Sequence, residues 1–92
     1  MKIRLTPQAR SDLELIYQYL IDRSPRGAGN VLAAIRDALN LLAEHPHAAQ
    51  ATEHEDIRAA VVRRYPYRIF YALSDDAIDI LHVRHTSRRP WL

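Results

Sequence analysis

The sequence predicts an α+β fold in the order β-α-α-β-β-β: a short N-terminal strand, an antiparallel two-helix hairpin, then a three-stranded antiparallel meander. Three observations carry it. Apolar residues recur at three- and four-residue spacing through the first half of the chain and alternate in the second. Thr6–Pro7 and Ser24–Pro25 each stand at the head of a helical-period segment, a capping hydroxyl followed by the one residue that does not miss its N–H there. Turn residues divide the alternating half into three runs rich in β-branched and aromatic side chains.

Taken in order, "KIRL" (2–5) alternates charged and apolar side chains and reads as a strand. From Pro7 to about Arg23 a helix places Ala9, Leu13, Ile16, Tyr17, Leu20 and Ile21 along one stripe. "SPRGAGN" breaks it, and a second helix runs from Pro25 to about Glu44, with Val31, Leu32, Ile35, Leu39 and Leu42 on one face before Pro46. Two such helices joined by a short break form an antiparallel hairpin. Residues 45–56, polar and without period, are expected as a surface loop. "IRAAVVRRY" (57–65), "YRIFYAL" (67–73) and "AIDILHVRH" (77–85) are the three meander strands, connected through Pro66 and "SDDA". One sheet with both helices on one face follows, in one domain spanning 1–92.

Composition excludes several classes of function. There is no cysteine, so disulfides and thiolate metal sites are absent. No run reaches the 18 or so apolar residues of a membrane span, and the N-terminal residues have no apolar leader core, so a soluble cytoplasmic domain without membrane contact is expected. The net charge of +2 is unevenly spread: residues 1–56 hold six basic and eight acidic side chains, residues 57–92 seven and three. All seven are arginines, whose planar fork suits phosphate or carboxylate, so the second half is expected to meet an anionic partner.

Candidate sites follow from the same residues. His45, His47 and His54 lie in the polar loop without ligand spacing and read as solvated. His82 and His85, three apart on the last strand, fall on opposite faces, and His85 at the strand exit is the better candidate for a site. Glu53, Glu55 and Asp56 read as an acidic loop rather than a hard-ion site. No nucleophile elbow, phosphate-cradling glycine loop or nucleotide fingerprint is present, so no metal and no cofactor are expected. Side-by-side strands would gather Arg58 or Arg64 with Arg68 and Arg84 on one surface, tyrosines between them. A solvated sheet face, a surface for RNA phosphates and a surface for an acidic peptide all satisfy that pattern.

This order of elements, with "DIRAAVVRRYPYRIFYALSDDAIDILHVRHTSRRP", resembles the RelE/ParE superfamily of toxins from bacterial type II toxin–antitoxin systems. The matching parts are "YPYRIFY" opening the middle strand, "IDILHVRH" as the last strand, and Arg88 just beyond it. The resemblance implies a growth-inhibiting toxin neutralised by a cognate antitoxin, with operator DNA recognised only through that antitoxin. Two activities divide the superfamily. RelE-like members are ribosome-dependent endoribonucleases that cut mRNA, and ParE-like members, known from plasmid stabilisation, inhibit DNA gyrase without catalytic residues.

Carried over position by position, the resemblance favours the ParE-like branch. Arg68 matches the arginine of the ribonucleases' middle strand, but their lysine-bearing positions fall on Ala59 and Val61. Their basic residue past the last strand falls near Thr86, and the catalytic tyrosine has no match beside Trp91 and Leu92. If the chain were a ribonuclease, Arg68, His85 and Arg88 would have to carry the chemistry. As a target- or antitoxin-binding surface, the resemblance implicates Arg58, Arg64, Tyr67, Arg68, Tyr71, Arg84, Arg88 and Arg89.

Overall fold

A computed structural model describes residues 1–54 and 56–86. Its elements are β1 (Lys2–Leu5), α1 (Pro7–Ile21), α2 (Pro25–Glu44), β2 (Gln50–Ala51), β3 (Arg58–Val61), β4 (Tyr67–Leu73) and β5 (Ala77–His85). They form a five-stranded sheet in the order β1-β5-β4-β3-β2. β1 runs parallel to β5, and the remaining pairs are antiparallel. The α+β class and the helix–helix–meander order are those the sequence predicts.

Both expected caps form. Thr6 accepts from the Ala9 N–H at 3.1 Å, and Ser24 accepts from the Gly27 N–H at 3.0 Å. Thr6 also ends β1, giving its N–H to the Ile80 carbonyl at 3.1 Å and its hydroxyl to the same carbonyl at 2.7 Å. One residue thus joins the strand to the helix and fixes α1 beside β5. The N-terminal ammonium donates to the Ala43 carbonyl at 2.7 Å, satisfying one of the carbonyls left open in the last turn of α2.

Helices cover one face of the sheet. Ile35, Ile69, Tyr71, Ile78, Ile80 and Val83 are almost wholly inaccessible, and Val31 and Leu42 of α2 join them. Each such side chain contributes roughly 1.5–3 kcal/mol when taken out of water. The register explains which residues these are: Ile69 lies opposite Val83, Tyr71 opposite Ile80 and Ile3 beside Ile78. Between Phe70 and Tyr71 the register shifts, leaving Leu81 as an extra residue on β5.

Two boundaries differ from the sequence reading. The strand expected at 57–65 is Arg58–Val61, because Arg64 takes a left-handed conformation at φ 74° and Pro66 has no N–H to give. Val62 and Tyr67 close the resulting turn, Val62 N–H to Tyr67 carbonyl at 3.0 Å. The loop expected at 45–56 contains β2, two residues paired with β3. On the hairpin, Leu20 of the expected stripe packs against the core, whereas Tyr17 is exposed, as are Leu15, Tyr19 and Leu41.

Candidate functional site

On the face away from the helices, the register sets Val61, Arg68 and Arg84 in one row and Gln50, Ala59, Phe70 and His82 in the next. β3 and β4 form the floor of a groove of about 520 Å³ there. Ala59, Val61, Arg68 and Phe70 lie along the floor, residues 50–54 form one wall, and His85 and Thr86 stand at the other side. Val61 is 64% exposed, while Phe70, on the same face, is only 6% exposed. Arg68 is exposed and makes no hydrogen bond or ion pair among the described residues. It is also the only arginine or lysine among the described residues that line the groove.

Of the other sequence-predicted residues, His85 lines the groove with Arg68 and the rest described do not converge there. Arg58 and Tyr71 face the helix side: Arg58 donates to the Ala49 carbonyl at 2.8 Å and the Tyr71 hydroxyl to the Pro46 carbonyl at 2.8 Å. Burial raises the Tyr71 phenol above the usual tyrosine value, against the opposing influence of the Arg58 guanidinium and the Ala49 backbone. Tyr67 is buried at the end of β4, its ring edge-on to His85 at 5.5 Å between centroids. Arg64 sits exposed in the β3–β4 turn. Arg88 and Arg89 lie outside the described residues, as does Glu55 of the acidic loop.

Arg84 shares the row of Arg68 but turns towards the rim of the sheet, where sequence reasoning missed Asp12. This α1 carboxylate is 4% exposed. It accepts from the Val83 N–H at 3.0 Å and from Gln8 Nε2 at 2.9 Å. Arg84 Nη1 lies 3.9 Å from Asp12 Oδ1, and His82 Nδ1 lies 3.5 Å from Oδ2. β1 stops opposite Ile80, so the rim of β5 beyond it needs an acceptor, and Asp12 supplies one. The available sequence signal was a carboxylate on the apolar stripe of α1, a position that asks for a buried partner. Further along the same face, Arg4 Nε pairs with Asp79 at 2.7 Å, which raises the Arg4 pKa.

Residues 3–90 match the family described as the ParE toxin of the type II toxin–antitoxin system, parDE. The chain belongs to the ParE toxin family. Curated relatives agree in kind: Y4kP of Sinorhizobium fredii is 33% identical over 88 residues, covering 96% of this chain and 91% of that protein. Toxin RelE3 of Caulobacter vibrioides is 27% identical over 89 residues, covering 95% of this chain and 96% of that one. Both are named as toxins.

Solved structures place this ParE-family toxin in the same fold. The chromosomal ParDE system of P. aeruginosa superposes with a TM-score of 0.81 at 22% identity, over 92% of this chain and 95% of that one. The RelBE2 toxin–antitoxin complex of Mycobacterium tuberculosis gives 0.62 at 27% identity, over 91% and 95%. The family assignment makes this chain the toxin of a type II system, as the sequence resemblance implies. No helix among the described residues is long and apolar enough to cross a membrane.

Proposed function

We propose that this ParE-family toxin inhibits growth by binding a protein target, DNA gyrase, through the grooved face of the sheet, and that a cognate antitoxin holds it inactive. One observation carries the reading: the groove floor is Ala59, Val61 and Phe70 around Arg68, the one arginine or lysine among the described lining residues. General acid–base cleavage of RNA needs several titratable or cationic groups converging on one phosphate. An apolar floor with one uncommitted arginine suits a protein surface, with an apolar anchor beside a charge-assisted hydrogen bond. The toxin–antitoxin complexes among the structural relatives support an antitoxin partner, and operator DNA is then reached through that partner. The toxin acts in the cytoplasm, where that target resides.

The test is supercoiling of relaxed plasmid by purified gyrase. Inhibition by the wild-type chain, relieved by Arg68→Ala, is the expected result; full supercoiling at saturating toxin overturns the reading.

A second reading has its own observation, since Arg68 and His85 line the same groove. A RelE-like ribonuclease would use these two with Arg88 on mRNA in the ribosome. Programmed ribosomes incubated with toxin would then yield cut transcripts, and cleavage would disappear in both Arg68→Ala and His85→Ala.

A further inference from the structure

The wall of the groove is held from the opposite face of the sheet. Residues 50–54 form that wall, and its two ends are secured differently. At the far end the chain bonds to itself: the Thr52 N–H donates to the Ile57 carbonyl at 2.9 Å, and the Thr52 hydroxyl accepts from the His54 N–H at 3.1 Å. At the entering end β2 offers β3 only two residues, Gln50 beside Ala59 and Ala51 beside Arg58. A two-stranded ladder that short does not hold itself in water.

Arg58 supplies the missing hold. Its partner on β4 is Tyr71, wholly buried, so the Arg58 side chain leaves the sheet on the helix side. There its Nη1 donates to the Ala49 carbonyl at 2.8 Å and stands 3.4 Å from the His47 carbonyl. Ala49 is the residue before β2, and its side chain packs against the core. Among the described residues Arg58 forms no ion pair, so its charge is spent on these backbone oxygens. A hydrogen bond from a charged donor is stronger than a neutral one and sets a firmer tie on the loop. Arg68 stands on the other face, opposite Val61 in the ladder, and the two arginines therefore divide the work by face.

We propose that Arg58 is a positioning residue for the groove: from the helix side it fixes the entering end of the wall, and so sets the width of the opening in which Arg68 meets a partner. It acts through residues 49–51 and touches no partner itself. The inference rests on the groove being the working surface of the toxin, as proposed above.

The experiment compares Arg58→Met, which keeps the apolar stem and removes the donors, with Arg58→Lys, whose ammonium carries three donors for the same two carbonyls. Cross-strand nuclear Overhauser contacts between residues 50–51 and 58–59 report the ladder, and the toxin concentration that halves gyrase supercoiling reports the site. In Arg58→Met the contacts should fade and that concentration should rise about three- to tenfold, the net worth of one hydrogen bond. Arg58→Lys should restore most of both. Ile78→Val, a core change on β5, across β4 from β3, should inhibit like wild type, which separates positioning from loss of stability.

Ladder contacts that survive intact in Arg58→Met overturn the proposal, and so does undiminished inhibition once they are lost. A wild-type chain that leaves gyrase untouched refutes the gyrase target instead; the ladder comparison still decides the hold of Arg58, with growth arrest on induction as the reading of the site. Should Arg58→Met not fold, the wild-type protein decides: its Arg58 side-chain N–H resonances should exchange slowly and show Overhauser contacts to His47 and Ala49, and a guanidinium averaging freely in water rejects the hold.

Discussion

Arg58 and Tyr71 stand opposite each other on β3 and β4 and tie down the same loop, Arg58 through the Ala49 carbonyl and Tyr71 through the Pro46 carbonyl, each at 2.8 Å. The loop carries the chain from the end of α2 to β2, so these two bonds set the height of the wall above the groove. Their place under the helices removes both side chains from the face where a partner could reach them.

Tyr71→Phe should therefore lower stability without touching the groove floor. Removing the hydroxyl leaves the Pro46 carbonyl without that donor, which costs about 1–2 kcal/mol, or roughly 4–16 °C in melting temperature for a domain of this size. The phenol also imposes a pH dependence. Its folded-state pKa is raised above the ordinary 10.0, so the fold keeps a proton that the unfolded chain gives up. The contribution is complete below about pH 10 and drains away as pH rises through the folded value. Urea titrations between about pH 9 and 11 should show wild-type stability falling more steeply than that of Tyr71→Phe; parallel curves would contradict this account.

Asp12 joins α1 to β5 through the backbone of Val83, and no other described residue offers that N–H an acceptor. Asp12→Ala should cost about 2–4 kcal/mol, since a buried N–H is left unsatisfied and Arg84 loses its counter-charge. Asp12→Asn keeps an acceptor oxygen and should cost less than half as much. Chemical denaturation distinguishes them, and an alanine variant as stable as wild type would show that the carboxylate does not hold the rim.

How far the sequence could be read follows from these residues. Thr6 and Ser24 announced the helices because capping depends on local chemistry, and in each case the residue three positions on supplies the N–H group. Arg68 and Arg84 share one surface, as the sequence predicts, because strand alternation is also local. Arg58 was misplaced with Arg68: a turn in the middle of the expected strand decides which residues share its face, and the left-handed Arg64 is not visible from residue type. Asp12 was missed because its partner lies 71 positions away, at a rim that exists only once β1 has stopped short of the end of β5.

Arg64 itself offers a test of that turn. A left-handed non-glycine residue carries about 1–2 kcal/mol of steric cost, part of which glycine relieves at the expense of chain entropy. Arg64→Gly should leave stability unchanged or raise it by up to about 1 kcal/mol. Arg64→Val, β-branched and intolerant of φ 74°, should lower it. Equal melting temperatures for the two variants would remove the conformational explanation.

The two glycines at the start of α2 should respond in opposite ways. A Cβ at Gly29 would meet nothing within 4 Å, so Gly29→Ala should stabilise the helix by about 0.5–1 kcal/mol. A Cβ at Gly27 would lie 3.1 Å from Ser24 Oγ and 3.2 Å from its Cβ, crowding the capping side chain. Gly27→Ala should gain nothing and lose stability if the cap is displaced, a loss of about 1 kcal/mol. Thermal melts of the two single variants check the ordering, and a Gly27→Ala protein more stable than Gly29→Ala would refute it.

Arg68 separates function from folding most cleanly. It is exposed, commits no donor to any described residue, and faces Arg84 across the strand pair. Arg68→Gln should therefore melt at or slightly above the wild-type temperature, because an opposed like charge is relieved by a few tenths of a kcal/mol. Growth arrest on induction without antitoxin should nevertheless be lost, since the groove then has no arginine or lysine among its described lining residues. The manner of the wild-type arrest discriminates the targets: DNA-damage signalling follows from gyrase inhibition, immediate cessation of translation from mRNA cleavage. A stable Arg68→Gln protein that still arrests growth would move the working surface away from the groove, leaving the exposed Leu15 and Tyr19 of α1 as the next surface to substitute.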